Sequence, residues 1–219
     1  HVRSVRVVNG RARRCASQES NALYAMLTLG FDDAHADRLA ANLLRWQWPD
    51  GGWNCDKRPE AAVSSLHETW IPVRALALYA RRRDHADARA AVARAVEPIL
   101  SRRLFRRRDG SIISPRFLQL IYPPYWHYTI LNGLTVLAEA GYLDDPRCAE
   151  ALDLLESRRL SDGGFPCDRH YWRTSPSRTA AYSPVAWGPN SATRLNEWVT
   201  AEALCVLKAA GRFETARVA

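Results

Sequence analysis

Residues Pro49–Pro59 read PDGGWNCDKRP, and Ser161–Tyr171 read SDGGFPCDRHY. Each places an aromatic directly after Asp-Gly-Gly and a Cys-Asp pair two positions beyond it. The similarity extends outward. TLGFDDAHADRLAANLLRWQWPDGGW (Thr28–Trp53) aligns with EAGYLDDPRCAEALDLLESRRLSDGGF (Glu139–Phe165). Both run from a helix end through a short Asp-rich link and an amphipathic helix into Asp-Gly-Gly-aromatic. A looser copy, LYARRRDHADARAAVARAVEPILSRRLFRRRDGS, lies between them. The turn aspartates Asp50, Asp109 and Asp162 recur roughly every 55 residues, a period that marks a repeat architecture.

Helical periodicity dominates the remainder. NALYAMLTLG, RALALYA, LNGLTVLAEAG and AEALCVLKAAG carry apolar residues at helical spacing. Three of the four end at a glycine (Gly30, Gly141, Gly211) suited to a left-handed C-cap. Strand signals are few. The unit is therefore a helix hairpin whose second, more apolar helix follows an Asp-Gly turn. About four such units, the last beginning at KAAGRFETARVA, would stack as one all-α array over residues 1–219, each burying a face on its neighbour.

Composition sets outer limits. The chain has 219 residues, 47% hydrophobic and 25% charged, and no apolar run approaches the roughly 20 residues of a membrane-spanning helix. No signal peptide is expected, and the absence of an initiator Met raises the expectation of a truncated N-terminus. Net charge is +8, yet only Lys57 and Lys208 among the 31 basic residues are lysine. The runs Arg81–Arg83 and Arg102–Arg108 could meet phosphates. With no nucleic-acid-binding motif beside them, they are read as solvated helix ends rather than a nucleic-acid surface. Five cysteines without CxxC spacing point to a reduced, cytoplasmic chain and away from a zinc ribbon.

RWQWPDGGW and RRLSDGGF resemble the QW-type motif of the prenyltransferase and squalene-oxidase repeat, which builds the α/α toroid of terpenoid cyclases and protein prenyltransferase β subunits. The segments DGGWNCD, SSLHET, YPPYWHY and NEWVT together resemble an uncharacterised bacterial branch of that superfamily. The resemblance implies an α/α-hairpin toroid or partial toroid. It also implies an enzyme for a hydrophobic, isoprenoid-type small molecule, with its cavity where the inner helices start. The acidic DxDD of class II cyclases and the Asp-x-Cys zinc pair of protein prenyltransferases are both absent. A full toroid takes about six hairpins, so the arc would be open, truncated, or completed by another chain in a homo-oligomer.

The starts of the predicted inner helices carry the chemistry. SSLHETW offers His67, Glu68 and Trp70; PPYWHYT offers Tyr125, Trp126, His127 and Tyr128; RLNEWVT offers Arg194, Asn196, Glu197 and Trp198. Convergence at one mouth would place His67, Glu68, His127, Tyr128 and Glu197 as proton-transfer residues. Trp70, Tyr125, Trp126, Asn196, Trp198 and Arg194 would then line a substrate pocket. The bland alternatives are carboxylates favoured by helix N-termini, capping histidines and core aromatics. Cys55, Asp56 and His67 also offer the ligand types of a divalent zinc site; Cys167, Asp168 and His170 form a second, weaker set. Against this, the aspartates could brace the loop and the cysteines could pack as small hydrophobes. Residues 169–192 form a loop long enough to act as a lid or arm, with Arg173, Arg178 and Arg194 as anion contacts.

Overall fold

A computed structural model describes residues 5–171, 173–174, 182–183 and 185–212. The chain is mostly helical, with seven α-helices among the described residues: α1 (Ala16–Thr28), α2 (Ala34–Trp46), α3 (Leu66–Arg83), α4 (Ala86–Leu100), α5 (Ile130–Ala140), α6 (Ala149–Ser157) and α7 (Glu197–Ala209). Short strands accompany them. β1 (Val7–Val8) pairs antiparallel with β2 (Arg11–Ala12), and β3 (Pro166–Cys167) antiparallel with β6 (Ser191–Leu195). β4 (Arg173–Thr174) pairs parallel with β5 (Tyr182–Ser183). No described helix is long and apolar enough to cross a membrane. The chain divides into two compact units, His1–Arg102 with Glu139–Tyr142, and Arg103–Ala138 with Leu143–Ala219.

In the first unit α3 is the central helix. Leu66, Trp70, Ile71, Val73, Leu76 and Tyr79 are all buried, so apolar side chains surround its axis. It packs on α1 and α4, and α1 also packs on α2. Helix α2 buries one face only, through Ala36, Ala40, Leu43 and Trp46. Its start is fixed by Asp33, whose carboxylate accepts the N–H groups of His35 (2.8 Å) and Ala36 (3.3 Å). In the second unit α7 packs on α6 and on β3.

The repeat read from the sequence is present at atomic detail in the turns. Trp48 N–H donates to Gly52 O (2.8 Å) and Gly51 N–H to Trp48 O (2.9 Å). The same pair recurs as Arg107 to Ser111 (2.8 Å) with Gly110 to Arg107 (3.0 Å), and as Leu160 to Gly164 with Gly163 to Leu160 (both 2.9 Å). The aromatics after the first and third turns are gripped alike. Trp53 N–H donates to Thr69 Oγ1 (3.2 Å) and Phe165 N–H to Thr200 Oγ1 (2.9 Å). Their carbonyls accept Ser65 N–H (2.9 Å) and Asn196 N–H (2.8 Å). In the middle copy the corresponding Ile112 is 38% exposed, so that turn holds no wedge.

Candidate metal centre

Glu68 lies in the first turn of α3 and is 7% exposed. Its Oε2 accepts the backbone N–H of Ser17 (3.0 Å), so α3 supplies a carboxylate to the open N-terminus of α1. Its Oε1 accepts the Cys55 thiol (3.7 Å). Cys15 is the N-cap residue of α1, and its side chain makes no capping hydrogen bond. Among the described residues, Cys15, Cys55 and Glu68 form a group that could hold a metal ion, their ligand atoms all within 4.8 Å of one another. Burial, with hydrogen bonding to Cys15 and the charge of Glu68, pushes the Cys55 thiol up to about 12. Burial likewise raises the Glu68 carboxyl, against the pull of Ser17 N–H.

Side-chain hydrogen bonds tie together the frame around this group. Arg13 is 4% exposed, and its guanidinium donates to Asp56 O (3.0 Å) and Ala61 O (2.9 Å), gathering the carbonyls of the loop after Trp53. The same guanidinium lies 4.5 Å over the Trp48 ring. Asn54 Nδ2 donates across the loop to Val63 O (3.0 Å).

The structure changes the expected ligand set. Cys55 is retained, but Asp56 and His67 do not stand in the Cys15–Cys55–Glu68 group. The Asp56 carboxylate faces Arg58 (2.6 Å), whose hydrogen bonds hold it at about 2. His67, half-buried, lies one position before Glu68 in α3. Cys15 was missed because 40 residues separate it from Cys55; its one local mark is its place directly before a helix. In the second copy, Asp168 accepts Arg158 (2.5 Å) and Leu120 N–H (2.7 Å), and the Cys167 thiol donates to Arg169 O (3.3 Å). That pair braces the chain, with His170 half-buried beyond it.

The remaining candidates divide between the units. Trp70, in the first, is 4% exposed. His127, Tyr128, Asn196 and Glu197 belong to the second. Tyr128 is 1% exposed, meets Phe117 edge-on at 5.0 Å, and donates its hydroxyl to Leu104 O (2.8 Å). His127 is layered between exposed Trp126 (4.2 Å) and Tyr171 (3.5 Å), and burial lowers its pKa. Tyr125 is exposed with a left-handed backbone (φ 51°). Asn196 caps α7 by accepting Trp198 and Val199 N–H (both 3.1 Å), and donates to Trp187 O (2.7 Å) and Pro189 O (3.2 Å). Exposed Trp198 stacks on Tyr122 at 5.3 Å, with Trp187 edge-on to both. Glu197 and Arg194 are exposed. The turn bonds align Ser65 with Asn196 and Thr69 with Thr200, so Glu68 matches Val199 and Glu197 matches Leu66. Within the 169–192 loop, residues 172, 175–181 and 184, and the side chain of Arg173, lie outside the described residues; Arg178 is among them.

No protein-family model, curated protein or solved structure matches the chain.

Proposed function

We propose that this chain is an α/α-hairpin repeat protein of the toroid type, complete or partial, akin to the terpenoid cyclase and prenyltransferase β-subunit folds. In this reading it is an enzyme that acts on a hydrophobic isoprenoid-type small molecule by acid/base or metal-assisted chemistry. The observation that carries it is the repeated turn. Three Asp-Gly turns share one hydrogen-bond pattern, and two of them lock a buried aromatic to a threonine on the helix that follows. That device is what the resemblance to the QW-type motif implies for these turns, and it supports the fold reading before any substrate is named. His127 and Glu197 in the second unit are the candidates for proton transfer. The Cys15–Cys55–Glu68 group in the first is the candidate for metal-assisted steps.

A second reading, a non-catalytic ligand-binding module, draws on the exposed aromatics Trp126 and Trp198, which could grip a ligand without transforming it. The arginine runs favour a nucleic-acid role less. Arg83 pairs with Asp32 (2.9 Å), Arg106 pairs with Glu150, and Arg107 donates to the carbonyls of Ile112 and Ile113 (2.8 and 3.0 Å).

The test is to titrate the purified chain with isoprenyl diphosphates of increasing length and with polyene hydrocarbons, with and without zinc. Tryptophan fluorescence reads binding and mass spectrometry reads products. Saturable binding with a new product is expected. Binding without turnover transfers the assignment to the binding module, and no saturable binding removes the isoprenoid reading altogether.

A further inference from the structure

We propose that Cys15, Cys55 and Glu68 form a three-ligand site for a borderline-soft divalent cation of the Zn²⁺ class, with its fourth position open. The inference gives a definite ligand set to the metal-assisted arm of the function above. It rests on the geometry of three side chains and not on the isoprenoid substrate.

The distances suit the ion. Zinc bonded to thiolate at ~2.3 Å and to carboxylate oxygen at ~2.0–2.2 Å in a tetrahedron sets sulfur and oxygen ~3.5–3.7 Å apart, and two sulfurs ~3.8 Å apart. Cys55 Sγ and Glu68 Oε1 are separated by 3.7 Å. All three ligand atoms lie within 4.8 Å of one another, so side-chain rotation of about 1 Å closes the set. The donors come from three separate places, the N-cap of α1, the loop after the Trp53 turn and the first turn of α3, so no single local motif accounts for their meeting.

The surroundings complete the arrangement. Ser17 N–H holds Glu68 Oε2, which orients the carboxylate and leaves Oε1 toward the Cys55 thiol, as an outer-shell partner does for a ligating carboxylate. Two thiolates and a carboxylate carry one negative charge more than a divalent ion neutralises. The N-terminal end of α1, where Cys15 sits, favours that excess. Two sulfur donors of three disfavour Mg²⁺ and Ca²⁺, which take oxygen. Three protein ligands leave a coordination position for water or a substrate atom, the pattern of catalytic rather than structural zinc.

The test uses metal alone on the full chain. Protein purified without chelator is assayed for zinc, then stripped and titrated with Co²⁺, whose thiolate charge-transfer absorption reports sulfur coordination. About one metal per chain is expected, with a charge-transfer band that C15S and C55S each weaken and the C15S/C55S double variant abolishes. E68Q should weaken Co²⁺ binding about ten- to a hundredfold. C205S, at an exposed cysteine outside the group, should leave the band intact. Zinc should also raise the thermal midpoint of the stripped wild type, a readout that survives if the variants fold poorly. No stoichiometric metal and no band with Co²⁺, or a band that persists in the C15S/C55S double variant, overturns the site. Because no organic substrate enters the assay, its result is independent of whether isoprenoids bind.

Discussion

At Trp53 one side chain serves two helices. The indole is 1% exposed and donates Nε1–H to Leu43 O (3.0 Å), one of the last carbonyls of α2 and without a helical donor of its own. Its backbone N–H is held by Thr69, whose hydroxyl in turn donates to Ser65 O (2.7 Å), so the ring links the end of α2 to the start of α3. The other copy uses phenylalanine at this place, which suggests that ring volume is the general requirement and the indole N–H a local addition. Trp53→Phe tests that division. The ring remains, but Leu43 O loses its partner and a small void opens, at a cost of about 2 kcal/mol. Urea unfolding should show that loss with an unchanged m-value; a change below about 0.5 kcal/mol would mean water replaces the N–H without penalty.

The turn elements are equivalent in hydrogen bonding but not in surroundings. Gly51 and Gly163 both have left-handed φ, 95° and 85°, so any side chain there is strained. A Cβ on Gly51 would lie 2.1 Å from Arg94 O, backbone of α4, whereas one on Gly163 would meet only the flexible Arg159 side chain at 3.5 Å. Gly51→Ala should therefore cost about 4 kcal/mol and Gly163→Ala about 1–2 kcal/mol, the backbone strain alone. Equal costs in thermal or urea unfolding would show that the contact with α4 yields freely. This contrast marks what was legible in the sequence. Helix periods, the glycine after α1 and the Asp-Gly turns are local patterns, and they foretold a mostly helical chain and the recurrence of the turn. The wedge residues Trp53 and Phe165 were readable for the same reason. The approach of Cys15 to Glu68 was not, because tertiary packing of α1 on α3 joins residues 53 positions apart. Asp56 misled because its type suits a metal, while its neighbour Arg58 sits two residues away and takes the carboxylate first. The β3–β6 pairing was hidden as well, since the two residues of β3 carry no period and the register with β6 is irregular.

Across the whole molecule, charge balance decides the response to acid. At neutral pH the 31 arginines and lysines exceed the 23 carboxylates, and many of the carboxylates are taken up in pairs such as Arg74–Glu139 (2.7 Å) and Arg147–Asp145 (2.8 Å), which leaves a surplus of cations. Hydrogen bonds from Arg147 hold Asp145 at about 2; those from Arg106, Ser111 and the N–H of His35 lower Glu150, Asp109 and Asp33. A carboxylate whose pKa is depressed on folding adds stability above its unfolded value, and that stability is lost as pH falls through the folded value. The thermal midpoint should therefore drop as pH falls from about 4 to about 2. Protonation also removes the negative partners while every arginine stays charged, so self-repulsion grows over the same window. The two causes separate with salt. Exposed pairs are worth about 0–1 kcal/mol each and weaken when screened, whereas repulsion among many cations is relieved. Added 1 M salt, as an order-of-magnitude choice that shortens the screening length to about 3 Å, should leave the midpoint nearly unchanged at pH 7 and raise it at pH 3. Asp145→Asn should flatten the acid limb at low salt, and wild type and variant should approach each other as pH falls through about 2, converging fully only below it, where Asp145 is protonated in folded and unfolded chains alike. A midpoint that falls with salt at pH 3 would mean that the paired arginines, rather than the surplus ones, control the molecule in acid.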